Sequence, residues 1–194
     1  MSTGRLLFLR PGAPDSGREA VFLRKARGGD RKALGELLAP YEAPLFRFVC
    51  RMLGRGHSDA AGDLTQEVFL RIIGSLERID PARPLKPFLY RIAANAVVDH
   101  LRREGRRGRF LDRDVVAADL TDGARSARGK ESALDLERSL ALLPVHYQLV
   151  VVLRFAQELT YEDISEALEI PVGTVKTYLH RARRALKRSL EEGT

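Results

Sequence analysis

The stretch TYEDISEALEIPVGTVKTYLHRARRALKR, Thr160–Arg188, decides the fold. From Thr174 to Arg188 it carries six Lys or Arg and no acid, yet Val175, Leu179, Ala182 and Leu186 recur at helical spacing. That pattern predicts a helix with one narrow apolar stripe and a cationic remainder. Upstream, Thr160 and Asp163 have capping-box spacing. They open a shorter helix that turns Ile164, Ala167 and Leu168 inward and sets small Ser165 at the crossing point. The four residues Ile170–Gly173 join the two helices. A short helix, a tight turn and a longer basic helix are the layout of a helix-turn-helix. Charge is segregated to match: Glu162, Asp163, Glu166 and Glu169 lie on the first helix and the cations on the second. A helical wheel places Thr177, His180, Arg181 and Arg184 opposite the apolar stripe, on the face a recognition helix turns to the major groove. The plainer alternative is a solvated basic helix that closes a bundle. The upstream helix, its cap and the turn weigh against it.

Working outward, Ser132 onward is helical, with Leu134, Leu136 and Leu140–Leu143, a stop at Pro144, and then HYQLVVVLRFAQEL. The β-branched run LVVVL continues a 3.6-residue pattern at both flanks, so it reads as helix and no strand is expected anywhere. Residues 104–131 lose the periodicity. They open with arginines and then set Asp112, Asp114, Asp119 and Asp122 against Arg113 alone, which reads as a flexible linker with an acidic middle.

Four helices are expected between Asp30 and Arg103. Asp30 caps the first, bearing Ala33, Leu34, Leu37, Leu38 and Tyr41, and Pro44 suits the first turn of the second, with Leu45, Phe48, Val49 and Met52 inward. The third follows GRGHSD and buries Leu64, Val68, Phe69, Ile72, Ile73 and Leu76. The three prolines of DPARPLKP, Asp80–Pro87, break it. The fourth runs from about Phe88 to Arg103 and packs Leu89, Ile92, Ala93, Ala96 and Val97. Residues 1–20, rich in Gly, Pro and Ser, read as a loose tail. The fold class is therefore all-α: two small helical domains, 21–107 and 132–194, joined by a linker over 108–131.

Bulk properties bound the function. A chain of 194 residues with 44% hydrophobic content can build two small cores, and its net charge of +7 suits a polyanionic partner. There is no apolar run of bilayer-spanning length, and the apolar part of MSTGRLLFLRPG is too short for a signal peptide, so a cytoplasmic location is expected. The single cysteine, Cys50, excludes an internal disulfide and fills the core, while the four His lack ligand spacing. No nucleophile–base pair, phosphate-binding Gly loop or metal cluster is legible, so neither a cofactor nor catalysis is expected.

The residues also carry a family resemblance. LTYEDISEALEIPVGTVKTYLHRARRAL resembles the promoter −35 reading region of bacterial extracytoplasmic-function (ECF) sigma factors of RNA polymerase. DLTQEVFLRI resembles their core-polymerase binding helix, and FLYRIAANAVVDHLRR their −10 reading helix. The resemblance runs from about Arg24 to Leu190, in the family's order. It implies a sigma factor that binds core polymerase and directs promoter-specific initiation, with 21–107 as region 2 and 132–194 as region 4.

By that resemblance, Lys176, Thr177, His180 and Arg181 meet −35 DNA, with Arg183 and Arg184 on phosphates. Asn95 takes a −10 contact position, and the loop Asp80–Lys86, with Arg83 and the stacking face of Phe88, captures a flipped −10 base. Asp63, Gln66 and Glu67 match the surface that grips the polymerase clamp helices. Family habit adds an anti-sigma protein as a partner, and the acidic linker threads the polymerase channel as an RNA-like polyanion. Each role has a plainer counterpart: a solvated face for Asn95, surface charge or a carboxylate pair lacking a third metal ligand for Asp63 and Glu67, a simple tether for the linker.

Three positions depart from the family pattern. Phe88 replaces Trp, Tyr178 replaces Arg, and Glu169 stands in a turn where Gly is usual and a positive φ strains a β-carbon. Two other classes compete with this reading, a stand-alone helix-turn-helix regulator and an enzyme. The regulator leaves DLTQEVFLRI and the proline-bounded loop without a task.

Overall fold

The computed structural model describes residues 16–54, 56–104 and 138–192. The acidic stretch of the expected linker lies outside the described residues. Helices α1 (Ser16–Arg27), α2 (Arg31–Leu53), α3 (Ser58–Ile73) and α4 (Leu85–Arg103) form the N-terminal half. A 3-10 turn, Leu76–Arg78, leads from α3 into the loop before α4.

The partition of the N-terminal half differs from the sequence expectation. Helix α1 begins inside the expected tail, and the two helices expected between Asp30 and Leu53 are one, continuous through Pro40 and Pro44. Each proline removes one N–H from the ladder. Pro40 is exposed and Pro44 half-buried, so the carbonyls they leave unpaired lie toward solvent, while the stripe Ala33, Leu37, Leu38, Tyr41, Leu45, Phe48, Val49 and Met52 stays buried without a break. Asp30 caps the helix as expected, its Oδ1 accepting from the N–H groups of Lys32 (2.9 Å) and Ala33 (3.0 Å). In α3 the buried positions are Ala61, Leu64, Thr65, Val68 and Ile72. Ile73, expected inward, is 41% exposed because it lies one residue, about 100°, past the buried stripe.

Helix α4 starts three residues earlier than expected, at Leu85, with Pro84 in the cap position and Pro87 in the first turn, where neither breaks the ladder. Its inner face buries Leu89, Ala93, Ala96, Val97 and Leu101. Phe48 and Tyr90 meet edge to face at 5.3 Å. Arg27 ties α1 to the segment before α4, donating to the carbonyls of Leu76 (3.0 Å), Glu77 (3.4 Å) and Ile79.

In the C-terminal half, residues 138–142 are helical, α5 spans Val145–Val151, and a π-helical turn covers Val152–Ala156. Helices α6 (Tyr161–Leu168) and α7 (Val172–Glu192) follow, and no strand occurs among the described residues. The Thr160–Asp163 capping box is formed in both directions at 3.0 Å. Glu169 adopts φ 54°, ψ 41°, the left-handed turn conformation, and Ser165 braces it by donating to the Ile170 carbonyl at 2.6 Å.

Replacing Thr160 by Ala removes half of the capping box and is expected to cost about 1 kcal/mol, with Thr160→Ser restoring most of it. Urea unfolding checks this as a lower midpoint at unchanged slope. An unchanged midpoint would show that the cap does not hold α6.

Candidate nucleic-acid interface

Val175 and Ala182 of α7 are fully buried, and Leu179 and Leu186 are half-buried against the rest of the C-terminal half. This packing orients the opposite face outward, so Lys176, Thr177, His180, Arg181, Arg183 and Arg184 are all exposed. The expected −35 row thus lies on a single exposed cationic surface. Thr177 Oγ1 donates to the Gly173 carbonyl at 2.9 Å, which fixes its rotamer at the start of the helix. Tyr161, at the start of α6, lies 4.9 Å from the Arg154 guanidinium and 5.9 Å from Lys176 Nζ. It steadies Lys176 by a cation–π contact, a support that no spacing in the sequence announces.

Beneath the same helix, His146, Tyr147 and Tyr178 form an aromatic cluster, with ring centroids 4.2 Å (His146–Tyr147), 4.8 Å (His146–Tyr178) and 5.4 Å (Tyr147–Tyr178) apart. Tyr178, which departs from the family's Arg, is a packing residue here and not an exposed donor. Burial, and secondly the charge of Arg181, hold the His146 imidazole below its ordinary pKa.

The expected −10 residues gather at the loop and first turns of α4. Asp80 Oδ1 accepts from the Ala82 N–H at 2.9 Å, and its Oδ2 lies 3.5 Å from Arg83 Nε, so this carboxylate shapes its own loop. Phe88 is half-buried, with the Arg91 guanidinium 5.0 Å from its ring, and Asn95 is exposed two turns along. Lys86 is half-buried and donates to the Gln157 carbonyl at 2.5 Å. Burial lowers its pKa, an effect opposed by the charges of Glu158 and Asp163.

On α3, Asp63 and Gln66 are exposed, and Leu70 (70%) and Ile73 (41%) continue the same face. Glu67, one turn on from Asp63, is half-buried. It pairs with Arg71 on its own helix and lies 3.8 Å from Arg103 of α4, so it spans the α3–α4 boundary. No motif marks Leu70 as part of this surface; its place on the helical face of Asp63 and Gln66 is the signal in the sequence that does.

A helix-turn-helix with an exposed cationic recognition face, joined to a helical bundle with a second polar surface, defines a DNA-binding protein of two parts. The comparisons identify both parts. The model of Sigma-70 region 2 matches residues 37–107, and that of Sigma-70, region 4 matches residues 133–186. The ECF RNA polymerase sigma factor SigW of Bacillus subtilis is 31% identical over 181 residues, 88% of this chain and 95% of its own length. SigC of Mycobacterium tuberculosis is 33% identical over 172 residues, 89% and 90% of the two chains. The fold is shared with CnrH, solved in complex with the cytosolic domain of CnrY (TM-score 0.68, 22% identity, 91% of this chain and 99% of that one). It is shared also with the sigma factor RpoE from Bartonella quintana, solved with the anti-sigma factor NepR (TM-score 0.63, 23% identity, 82% and 98%). The chain belongs to the ECF RNA polymerase sigma factors and serves promoter-specific initiation of transcription. The match over residues 37–107 sets aside the stand-alone regulator, which gave that half no task. Among the described residues no helix is long and apolar enough to cross a membrane.

Because its neutral form is favoured in the fold, His146 is expected to titrate below the ordinary imidazole value, and its contribution to stability is present above pH about 6.5 and lost as pH falls towards its folded pKa. Proton NMR of the imidazole Hε1 signals, with His146→Gln for assignment, checks this. A midpoint at or above the ordinary value would contradict the buried cluster.

Proposed function

We propose that the three surfaces divide the work of initiation. The face of α3 carrying Asp63, Gln66 and Glu67, extended by Leu70 and Ile73, docks on core RNA polymerase. The loop Asp80–Lys86 with Arg83, Lys86, Phe88 and Asn95 reads the separated −10 strand, where unstacked bases offer their edges and faces. Lys176, Thr177, His180 and Arg181 read the −35 duplex, and Arg183 and Arg184 neutralise phosphates. Residues 21–107 and 132–194 are the two working units, and the stretch between them passes through the polymerase. An anti-sigma protein, the kind of partner with which RpoE of Bartonella quintana is solved, binds the factor.

One observation carries this reading: in a single chain, α7 turns every expected −35 residue outward while Val175 and Ala182 are fully buried. Transcription from a promoter library with added core polymerase tests it. Enrichment of a two-part promoter is expected, and transcripts no different from those of core enzyme alone would refute it.

The Asp63→Ala, Gln66→Ala, Leu70→Ala triple variant is expected to keep its helix content while losing co-purification with core polymerase. Exposed truncations shift stability by about 0.5 kcal/mol each, whereas anchors near an interface centre cost several-fold more in binding. A folded triple variant that still binds core enzyme would remove this role from α3.

Arg181→Ala is expected to cost about 1–3 kcal/mol and to relax −35 preference, while Arg183→Ala weakens all promoters alike and flattens the salt dependence. Competition transcription across −35 variants at several salt concentrations separates the two. Equal effects on both measures would collapse the distinction.

A further inference from the structure

Helix α1 precedes the Sigma-70 region 2 match, which begins at residue 37, and none of its residues belongs to the three surfaces proposed above. It is nonetheless fastened to the chain that enters the loop Asp80–Lys86. From the last turn of α1, Arg27 Nε donates to the Leu76 carbonyl at 3.0 Å, and Nη2 donates to the carbonyls of Glu77 (3.4 Å) and Ile79. The Glu77 carboxylate lies 3.8 Å from Arg27 Nε, and the Arg27 side chain is only 22% exposed. A second attachment lies one to two turns earlier on α1, where Glu19, Ala20 and Leu23 line one cleft with Pro81, Arg83 and Leu85. Glu19 is itself held, its carboxylate accepting from the hydroxyl of buried Tyr41.

We infer that Arg27 is a positioning residue for −10 reading: by gathering three carbonyls of residues 76–79 it sets where the loop Asp80–Lys86 stands, which makes α1 a working part of that surface. The inference rests on the −10 reading proposed above. Peptide geometry carries it. The Ile79 carbonyl and the Asp80 N–H share one planar unit, so a grip on that oxygen fixes the direction in which the loop departs. Ile79 is also where the chain leaves the 3-10 turn for extended backbone, with φ −77° and ψ 124°, and it is 4% exposed. Beyond it the loop is closed by short-range bonds of its own. Asp80 Oδ1 accepts from the Ala82 N–H at 2.9 Å, and the Asp80 carbonyl accepts from the Arg83 N–H at 3.1 Å. Those bonds shape the loop, while Arg27 and the cleft place it on the bundle. Residue type fits the task. Three carbonyls call for the forked donors of a guanidinium, whereas an ammonium on a flexible stem is a point charge without a fixed fork. A loop already in place spares the ordering cost that capture of an unstacked base would otherwise carry.

The test compares Arg27→Gln and Arg27→Lys with the wild-type full chain, each assembled with core polymerase. Transcription is measured from the promoter enriched in the library and from derivatives with single changes in its −10 or its −35 element. Arg27→Gln is expected to cut −10 discrimination about fivefold, the scale of ordering a few side chains, while −35 discrimination and co-purification with core enzyme stay unchanged. Arg27→Lys is expected to recover part of the loss. A purely structural role would move both discriminations together or neither, and either result would overturn the inference. Hydrogen exchange over Asp80–Lys86 gives a readout independent of any promoter, and the milder Arg27→Lys supplies it even where Arg27→Gln does not fold. The loop amides are expected to exchange faster than in the wild type while those of α3 exchange as before. Loop exchange equal to the wild type would also overturn the inference. Arg83→Ala with Phe88→Ala separates this from the −10 reading. If that pair leaves −10 discrimination intact, the −10 reading falls and the role of Arg27 in reading falls with it, while faster loop exchange in Arg27→Lys still shows that Arg27 places the loop.

Discussion

Helix α4 is the element on which both halves depend, and what lets it serve both is its small side chains. Ala93 and Ala96 are fully buried and Ala94 is 2% exposed. Separation between packed helices is set by the side chains at the contact, so alanines at these positions allow neighbours to approach closely from more than one side. Helices α2 and α3 close on one side and α6 on another. The bulk removed at the alanines is returned by Leu89, Tyr90, Val97 and Leu101, which fill the space between the neighbours. A helix with a single apolar stripe can sit on one bundle. This one is buried widely enough to hold two.

The junction is fixed by a polar requirement as much as by packing. A buried Tyr90 hydroxyl without a partner would cost about 1–3 kcal/mol, and Gln157 supplies the acceptor. Gln157 reaches that position through an irregular backbone. The π-helical turn Val152–Ala156 sends the Gln157 N–H to the Val152 carbonyl at 3.1 Å and the Leu159 N–H to the Leu153 carbonyl at 3.1 Å. Between them Glu158 takes φ 55°, reversing the chain towards α6, and Arg154 donates to the Leu159 carbonyl at 2.7 Å. The strain of a left-handed, non-glycine residue is thus held by bonds on either side and spent on presenting one side chain to α4. The same turn sets the direction of α6 and, through the braced Glu169, of α7.

Much of this was legible in the sequence, where local chemistry specifies local structure. The Thr160–Asp163 box, the Asp30 cap, the stripe of α7 and the proline-bounded loop are each decided by residues within a turn or two of one another. What escaped has its partner far away. Continuous α2 escaped because two prolines are strong local breakers, and only a buried stripe running past them overrides that. Arg27, Tyr161 and Leu70 carry no motif: one grips carbonyls about fifty residues on, one steadies a lysine across a turn, and one is exposed simply by its angle on α3. Glu67 makes contacts that its position alone does not announce. It stands beside Gln66 in the sequence, but Arg71 and Arg103 draw it to the helix boundary.

The strengths of the contacts between the halves differ in kind, and that difference governs how the arrangement responds to conditions. The Arg83–Glu166 and Arg91–Glu169 pairs join largely exposed side chains, except that Arg91 is partly covered, and such pairs contribute about 0–1 kcal/mol each and weaken with salt. They cannot hold the halves together unaided. The Tyr90–Gln157 bond and the apolar surface around it are shielded from water and respond little to ionic strength. Packing therefore supplies most of the affinity of one half for the other, and the ion pairs tune it with ionic strength. With α7 leaving its cations exposed while Arg83 and Arg91 face Glu166 and Glu169, the net charge of +7 is presented unevenly over the surface.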